Sequence, residues 1–287
     1  MAGAVAELIR LLDLEKVEEN IFRGFNPPDR SLRVFGGQVL AQALVAATRT
    51  APPDRFCHSL HAYFLRAGDP AASILYEVDR SRDGGSFSVR RVVAIQHGEQ
   101  IFVLAASFQK AEDGFTHQAV MPDVPPPESL ADGLSEGDAT LLKGLWRSRP
   151  FEFRPVLPRG LGDRPARPAL DHIWFRASEP LAPEPLAPQP LESPLPLHQA
   201  FLAFASDMSL LDTALLPHGK GIFSNVQVAS LDHAMWFHRP FRADDWLLYS
   251  QDSPAAFGAR GFSRGLIFAR DGTLVASVAQ EGLIRPR

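Results

Sequence analysis

One pattern occurs twice in this chain of 287 residues, and this repeat constrains the fold more than any other feature. His61 begins the run His-Ala-Tyr-Phe-Leu-Arg, and His233 begins the similar run His-Ala-Met-Trp-Phe-His-Arg. These two histidines are 172 residues apart, and Gly98 and Gly272, which follow the two runs, are 174 residues apart. A long repeat present only twice indicates that one small fold has been duplicated and fused, and sites commonly form where two such units meet.

The composition excludes several classes of protein. Hydrophobic residues make up 45% and charged residues 22% of the chain, which is typical of a globular protein. The net charge of −4 predicts no nucleic-acid partner, and no run of about 18 consecutive apolar residues predicts a membrane span. The chain ends show neither a secretory signal nor the Ser-Lys-Leu peroxisomal address. Cys57 is the single cysteine, so an internal disulfide is excluded and we expect a reducing, cytoplasmic location.

Proline divides the chain, because 16 of its 25 prolines lie between residues 122 and 196. Proline blocks helix interiors and central strands, so we expect a linker there, with one possible short strand at residues 172–176. The sequence therefore predicts an N-terminal unit at residues 1–121, a proline-rich linker at residues 122–196, and a C-terminal unit at residues 197–287 that carries the candidate catalytic residues.

Both units show the same order of predicted elements, an apolar helix followed by four antiparallel strands. Gly36 and Gly37 open the first helix, which continues to about Thr48 and is apolar on nearly every side, so we expect it to be buried. The second helix is predicted at residues 198–211, and the first strand after it at residues 226–237. A strongly curved sheet wrapped around a central helix satisfies this order. The predicted fold class is thus α+β, with two fused hotdog domains.

Four segments carry a resemblance to a known family. They are residues 34–44, which read Val-Phe-Gly-Gly-Gln-Val-Leu-Ala-Gln-Ala-Leu, residues 231–241, which read Leu-Asp-His-Ala-Met-Trp-Phe-His-Arg-Pro-Phe, residues 259–265, and residues 279–282. In these segments the chain resembles the acyl-CoA thioesterase II family of double-hotdog enzymes, and the resemblance extends over about residues 8–285. It implies hydrolysis of medium- to long-chain fatty acyl-CoA to free fatty acid and coenzyme A.

The family holds a water molecule with an aspartate, a threonine and a glutamine. By its motifs the aspartate falls on Asp207 and the glutamine on Gln280, whereas the threonine position is Ser230 in this chain. Serine keeps the hydroxyl that donates and accepts hydrogen bonds, but it lacks the methyl group that restricts χ1. The resemblance implies that Asp207 is the base for a water that attacks the thioester carbonyl, with Ser230 and Gln280 assisting.

The same residues also allow ordinary structural interpretations. Asp207 lies in an apolar segment, where a carboxylate is costly unless it is bonded, but its side chain could instead point to solvent. Ser230 could bond to a neighbouring strand, and Gln280 could end its strand in water. Because adjacent strand residues face opposite ways, Ser230 and Asp232 are predicted to share a face and His233 to point away with a structural role.

Substrate contacts are predicted less sharply than the catalytic set. Coenzyme A carries phosphates, so Arg239, Arg260 and Arg264 are candidate contacts, although each could equally be a solvated strand end or an ion-pair partner. Gly36 and Gly37 are candidates because glycine lets a ligand approach the N–H groups at a helix start. No Cys/His spacing predicts zinc and no glycine-rich phosphate loop opens a helix, so we expect no metal and no bound cofactor.

The motif Gly-Phe-Ser-Arg-Gly around Ser263 matches the nucleophile elbow of α/β-hydrolases, but we reject that interpretation. The elbow needs a helix after the serine, whereas residues 266–269 continue a predicted strand, and no histidine follows later in the chain.

Two other functions stay open. A hotdog hydratase acting on enoyl thioesters needs a closely placed Asp and His, and Asp212 with His218 is the only local pair on the helix side. A non-catalytic acyl-CoA-binding protein would have the same fold, with Ser230 marking a lost site. Since hotdog pairs commonly assemble through sheet edges, we also expect a homo-oligomer.

Overall fold

The computed structural model of the chain describes residues 3–27, 33–131, 150–181 and 195–287. The helical elements in these ranges are three α-helices, α1 (Ala4–Leu12), α2 (Gly36–Thr48) and α3 (Leu195–Ser206), and two 3₁₀ helices, Pro127–Ser129 and Leu211–His218.

Helices α2 and α3 form the centre of the fold, as their apolar sequences predict. Every residue of α2 from Gly37 to Ala47 is buried, and so is every residue of α3 from Pro196 to Ser206. The two helices pack against each other, and their apolar residues share one core cluster with the strands around them. A helix that is apolar on all sides needs neighbours on all sides, which a partner helix and a surrounding sheet provide.

Thirteen strands of the described residues form one antiparallel sheet. The strands of the first half are β1 (Glu15–Glu18), β2 (Ile21–Gly24), β3 (Arg55–Phe64), β4 (Ile74–Asp83), β5 (Phe87–Gln96) and β6 (Glu99–Lys110). Those of the second half are β7 (Phe151–Pro155), β8 (Leu170–Ala177), β9 (Val226–Ser230), β10 (Asp232–Phe237), β11 (Leu247–Phe257), β12 (Arg260–Ala269) and β13 (Leu274–Pro286). Their order across the sheet is β1-β2-β4-β5-β6-β3-β10-β13-β12-β11-β8-β7, and β9 pairs with β13.

The two halves share one hydrogen-bonded ladder. Strand β3 pairs antiparallel with β10, with His61 opposite Ala234 and Ser59 opposite Trp236. The two repeated runs of the sequence are therefore the two strands at which the duplicated units join.

The proline-rich region contributes two strands to the second half. Strand β8 contains the short strand predicted at residues 172–176 and pairs with β11, while β7 pairs with β8. Strand β7 is an edge strand and ends on Pro155, a position where a ladder tolerates proline. Two stretches of the predicted linker, residues 132–149 and 182–194, lie outside the described residues.

The single strand predicted at residues 226–237 is broken into β9 and β10 at Leu231. Both pieces pair with β13, with Ser230 opposite Gly282 and Ala234 opposite Ala279. Three residues thus separate the two positions on one strand, but only two separate their partners on the other. One extra residue in a ladder is a β-bulge, and it changes which side chains point inward.

The segment Leu195–His218, which comprises α3 and the 3₁₀ helix after it, is long and apolar enough to cross a bilayer by length and composition. In the fold, 83% of its most apolar 18-residue window is buried inside the protein. No other helix within the described ranges passes the same test.

Candidate active site

Asp207 is the first residue after α3, and its side chain lies in the interior. Its carboxylate is 4% exposed and accepts two side-chain hydrogen bonds on the same oxygen, Oδ1. Gln280 Nε2 donates to Oδ1 at 2.6 Å, and Ser230 Oγ donates to it at 3.2 Å. The structure therefore brings together the three side chains named by the sequence, and Asp207 does not point to solvent.

The sheet explains this convergence. Gln280 lies in β13 and is fully buried, two residues before the position that pairs with Ser230 of β9. Alternate residues of a strand share a face, and residues opposite each other in a ladder are close. Side chains far apart in sequence thus reach the same point below the end of α3.

Burial raises the pKa of Asp207 to about 6, and the hydrogen bonds from Gln280, Ser230 and the Gly37 backbone, with the charge of Arg33, limit that rise. A buried carboxylate favours its neutral form because the low-dielectric interior solvates charge poorly. At neutral pH, Asp207 is thus mostly ionised but holds a proton more strongly than an exposed aspartate does.

The first half contributes the start of α2 to the same point. A Cβ atom added at Gly36 would lie 2.7 Å from Asp207 Oδ2, and one added at Gly37 would lie 2.5 Å from the carbonyl oxygen of Phe204. Both distances are too short for a real side chain. These glycines therefore allow the start of α2 and the end of α3 to approach closely, with Oδ2 facing Gly36.

His233 is a member of this cluster that the sequence prediction missed. Its ring is fully buried, with Nε2 2.9 Å from Ser206 Oγ and Nδ1 3.9 Å from Asp207 Oδ1. The prediction that Ser230 and Asp232 share a face while His233 points away is wrong, because the bulge at Leu231 shifts the alternation by one residue. Asp232 instead accepts a hydrogen bond from the Glu281 backbone N–H at 2.7 Å.

Burial also lowers the pKa of His233 to about 3. The imidazole is therefore neutral at physiological pH, and its approach to Asp207 is not an ion pair. Ser206 Oγ donates its one proton to the Ala203 carbonyl at 2.9 Å, so it accepts from Nε2–H. His233 consequently presents the lone pair of Nδ1 to the region of Asp207.

A cavity of about 1150 Å³ opens beside Asp207. Gly36, Asp207 and Ser230 all line it, whereas Gln280 and His233 lie behind the carboxylate. Much of the wall is apolar, and it includes Val39, Phe64, Ile101, Phe153, Ile173 and Leu211. A polar cluster in the wall of a largely apolar cavity is the common form of a small-molecule site.

The three arginines predicted to contact coenzyme A do not line this cavity. Arg239 donates to the Leu274 carbonyl, and the other two form exposed ion pairs, Arg260 with Glu281 at 2.9 Å and Arg264 with Asp252 at 2.6 Å. The arginines that do line it are Arg33, Arg66, Arg159 and Arg287. Sequence offered no signal for them, because each reaches the cavity from a loop or a chain end.

The pair considered for a hydratase does not converge. Asp212 is held by Arg159 at 2.8 Å and by Arg164 at 2.9 Å, while His218 is exposed and does not line the cavity. Within the described ranges, no three His, Cys, Asp or Glu side chains group closely enough to hold a metal ion.

Ser263 lies in the middle of β12, as its interpretation as a strand residue predicts, and no helix follows it. It is fully buried and pairs directly with Gln280 of β13. The serine of the rejected motif is therefore a neighbour of the cluster from behind, not a nucleophile facing the cavity.

Comparisons with known proteins agree with this geometry. A family model described as acyl-CoA thioesterase matches residues 169–283, and one described as acyl-CoA thioesterase N-terminal domain matches residues 27–109. The acyl-CoA thioesterase 2 of Haemophilus influenzae is 42% identical over 295 residues, which cover 99% of this chain and 99% of the relative.

Solved structures give the same result at the level of the fold. The crystal structure of an acyl-CoA thioesterase II from Mycobacterium marinum superposes with a TM-score of 0.79 at 43% identity, over 98% of each chain. A protein of unknown function with a hot dog fold from Alicyclobacillus acidocaldarius superposes with a TM-score of 0.76 at 18% identity, also over 98% of each chain. The predicted fold class of two fused hotdog domains is confirmed.

Proposed function

The chain belongs to the acyl-CoA thioesterase family and is an acyl-CoA thioester hydrolase, and we propose that Asp207, Ser230 and Gln280 activate its water nucleophile. We propose further that its substrates are medium- to long-chain fatty acyl-CoA thioesters. The observation that carries the proposal is the buried carboxylate of Asp207, held by two donors on Oδ1 in the wall of a largely apolar cavity.

The two oxygens of Asp207 have different tasks. Oδ1 accepts the hydrogen bonds of Ser230 and Gln280, which fix the plane of the carboxylate and stabilise its ionised form. Oδ2 faces Gly36, whose missing Cβ leaves room beside it. A water molecule bound at Oδ2 is oriented for attack, and the raised pKa of Asp207, about 6, makes the carboxylate a better base than an exposed aspartate.

The reaction then needs no covalent intermediate. The water oxygen attacks the thioester carbonyl carbon while one of its protons passes to Asp207. The oxyanion that forms is stabilised by N–H groups in the first turn of α2, which have no partner within the helix. Collapse breaks the C–S bond, and the departing thiolate takes the proton from Asp207, which leaves a fatty acid and coenzyme A.

The cavity supports the choice of substrate. Its volume of about 1150 Å³ is at the upper end of small-molecule sites. An apolar wall favours an acyl chain because burial of each methylene group stabilises the complex by about 0.8 kcal/mol.

A thiol-release assay with short-, medium- and long-chain acyl-CoA tests the proposal. We expect Asp207→Asn to lower kcat by about 10²- to 10⁴-fold, the usual effect of losing a general base, with the fold retained. Asp244→Asn is the matched control, because Asp244 is also a buried carboxylate but bonds to Leu181 and Arg242. Undiminished turnover by Asp207→Asn would refute the mechanism, and tight binding without thiol release by the native chain would favour the non-catalytic alternative.

The pH profile gives a second test. Because the base must be ionised and burial raises the pKa of Asp207 to about 6, kcat/KM should fall as the pH drops through about 6. A profile that stays flat down to pH values near the ordinary pKa of an aspartate would show that Asp207 is not the base.

A further inference from the structure

Two buried polar atoms behind Asp207 lack hydrogen-bond partners. They are Ser263 Oγ and Gln280 Oε1, and both residues are fully buried. Buried polar side-chain atoms nearly always have a partner, so each such atom calls for an explanation. The two residues lie directly opposite each other on β12 and β13 and both point inward.

We propose that Ser263 is a positioning residue, whose hydroxyl donates to Gln280 Oε1 and so holds the carboxamide that donates to Asp207. This inference rests on the proposed function. Residues opposite each other in an antiparallel pair have Cβ atoms about 4.5–5.5 Å apart, so a rotation about χ1 of Ser263 brings the hydroxyl within reach of the carboxamide.

The orientation of this carboxamide matters for the reaction. Its nitrogen donates to Asp207 Oδ1 at 2.6 Å, whereas a half-turn would direct the carbonyl oxygen at the carboxylate, and two acceptors repel each other. A donor on the opposite side anchors the oxygen and leaves the nitrogen for Asp207. Ser263 thus acts through Gln280 and does not touch the substrate.

A double-mutant cycle tests this role. We expect Ser263→Ala to lower kcat about three- to tenfold, the rate equivalent of one net hydrogen bond, with KM nearly unchanged. In a Gln280→Met background the same substitution should change kcat less than about 1.5-fold, because residues that act through one another are not additive. The control is Ser88→Ala, which removes a buried hydroxyl bonded to Asp83 at 2.6 Å in the other half and should leave kcat unchanged.

The pH profile separates positioning from a general structural effect. A loosened Gln280 stabilises ionised Asp207 less, so the acid limb of kcat/KM should move to higher pH in Ser263→Ala. Ser263→Thr keeps the hydroxyl and should keep the limb where it is in the native chain. An unmoved limb in Ser263→Ala, or effects that multiply in the double variant, would overturn this inference alone. If Gln280→Met turned over as fast as the native chain, the proposed catalytic set would fail, and the inference with it.

Discussion

The two halves of the molecule place different side chains at equivalent points of the same fold. Arg90 lies opposite Ala106 in the first half, and Ser263 lies opposite Gln280 in the second. These positions are 173 and 174 residues apart, which matches the repeat. We call the group Thr50, Asp83 and Arg90, near the end of α2, the closed end, and the group Asp207, Ser230, Gln280 and Ser263, at the end of α3, the catalytic end.

At the closed end every strong charge is paired. Arg90 is 1% exposed, and its guanidinium donates to the Thr50 carbonyl at 2.9 Å and to both oxygens of Asp83 at 2.8 and 3.0 Å. It also donates to the Arg82 carbonyl. A buried cation with its donors satisfied fills the space under the helix end and leaves no free reactive group.

At the catalytic end the buried charge has hydrogen-bond donors but no paired cation among the described residues, because His233 is neutral. The pKa of Asp207 rises from 3.8 to about 6, which corresponds to about 3 kcal/mol that the fold loses when the carboxylate ionises. The comparison shows that one backbone arrangement supports either a stable ion pair or a strained base, according to a few side chains.

The first prediction removes the closed end. We expect Arg90→Ala to lower the free energy of unfolding by about 3–5 kcal/mol, because it leaves a cavity and an unpaired Thr50 carbonyl. Denaturant unfolding measures this, and kcat per folded molecule should be unchanged. A large loss of kcat at full folding would show that the two ends are not independent.

The second prediction concerns the stability cost of the catalytic end. Since the folded-state pKa of Asp207 lies above its ordinary value, this residue favours folding at low pH, and that contribution is lost as the pH rises from about 4 through about 6. Asp207→Asn should therefore unfold like the native chain near pH 4 and be about 3 kcal/mol more stable at pH 7.

The control for this prediction has the opposite sign. Burial raises the pKa of Asp244, but hydrogen bonds from Leu181 and Arg242 bring it below the ordinary value. Asp244→Asn should thus lose stability above about pH 4, relative to the native chain. A stability difference for Asp207→Asn that did not change with pH would contradict the assignment of a strained carboxylate.

The third prediction closes the space beside Asp207 Oδ2. Gly36→Ala adds a Cβ at 2.7 Å from that oxygen, and we expect kcat to fall about 10- to 100-fold, a loss of about 1–3 kcal/mol of transition-state stabilisation. The matched control is Gly85→Ala near the closed end, where an added Cβ meets nothing within 4 Å. Equal activity of the two variants would mean that the water does not bind at Oδ2.

The smallest effects should distinguish the arginines of the cavity from those of the sheet surface. Arg33→Ala removes a cation that lines the cavity and should raise KM about three- to tenfold, the loss of one charge-assisted contact. Arg264→Ala breaks an exposed ion pair with Asp252 and should change KM less than about twofold. A reversed order would restore the surface arginines as candidates for binding coenzyme A.

Sequence predicted the parts of this protein that depend on local pattern and repeat. The apolar helix at Gly36–Thr48 and the two-unit organisation follow from such patterns, and the resemblance located Asp207, Ser230 and Gln280. The bulge at Leu231 was not predictable, because nothing in the local sequence marks where a ladder gains a residue, and His233 was misplaced for that reason. The cavity arginines were missed since tertiary packing of loops, not strand periodicity, brings them there.

The ladder between β3 and β10 also determines how the enzyme can move. Gly36 belongs to one half and Asp207 to the other, and the continuous strand pairing holds the halves in one rigid frame. Opening them like a clamshell would break five consecutive residue pairs of that ladder, from Asp232 opposite Tyr63 to Trp236 opposite Ser59. Entry of substrate and departure of product therefore depend on local motions of the cavity rim, and turnover should not require a change in the separation of the two helices.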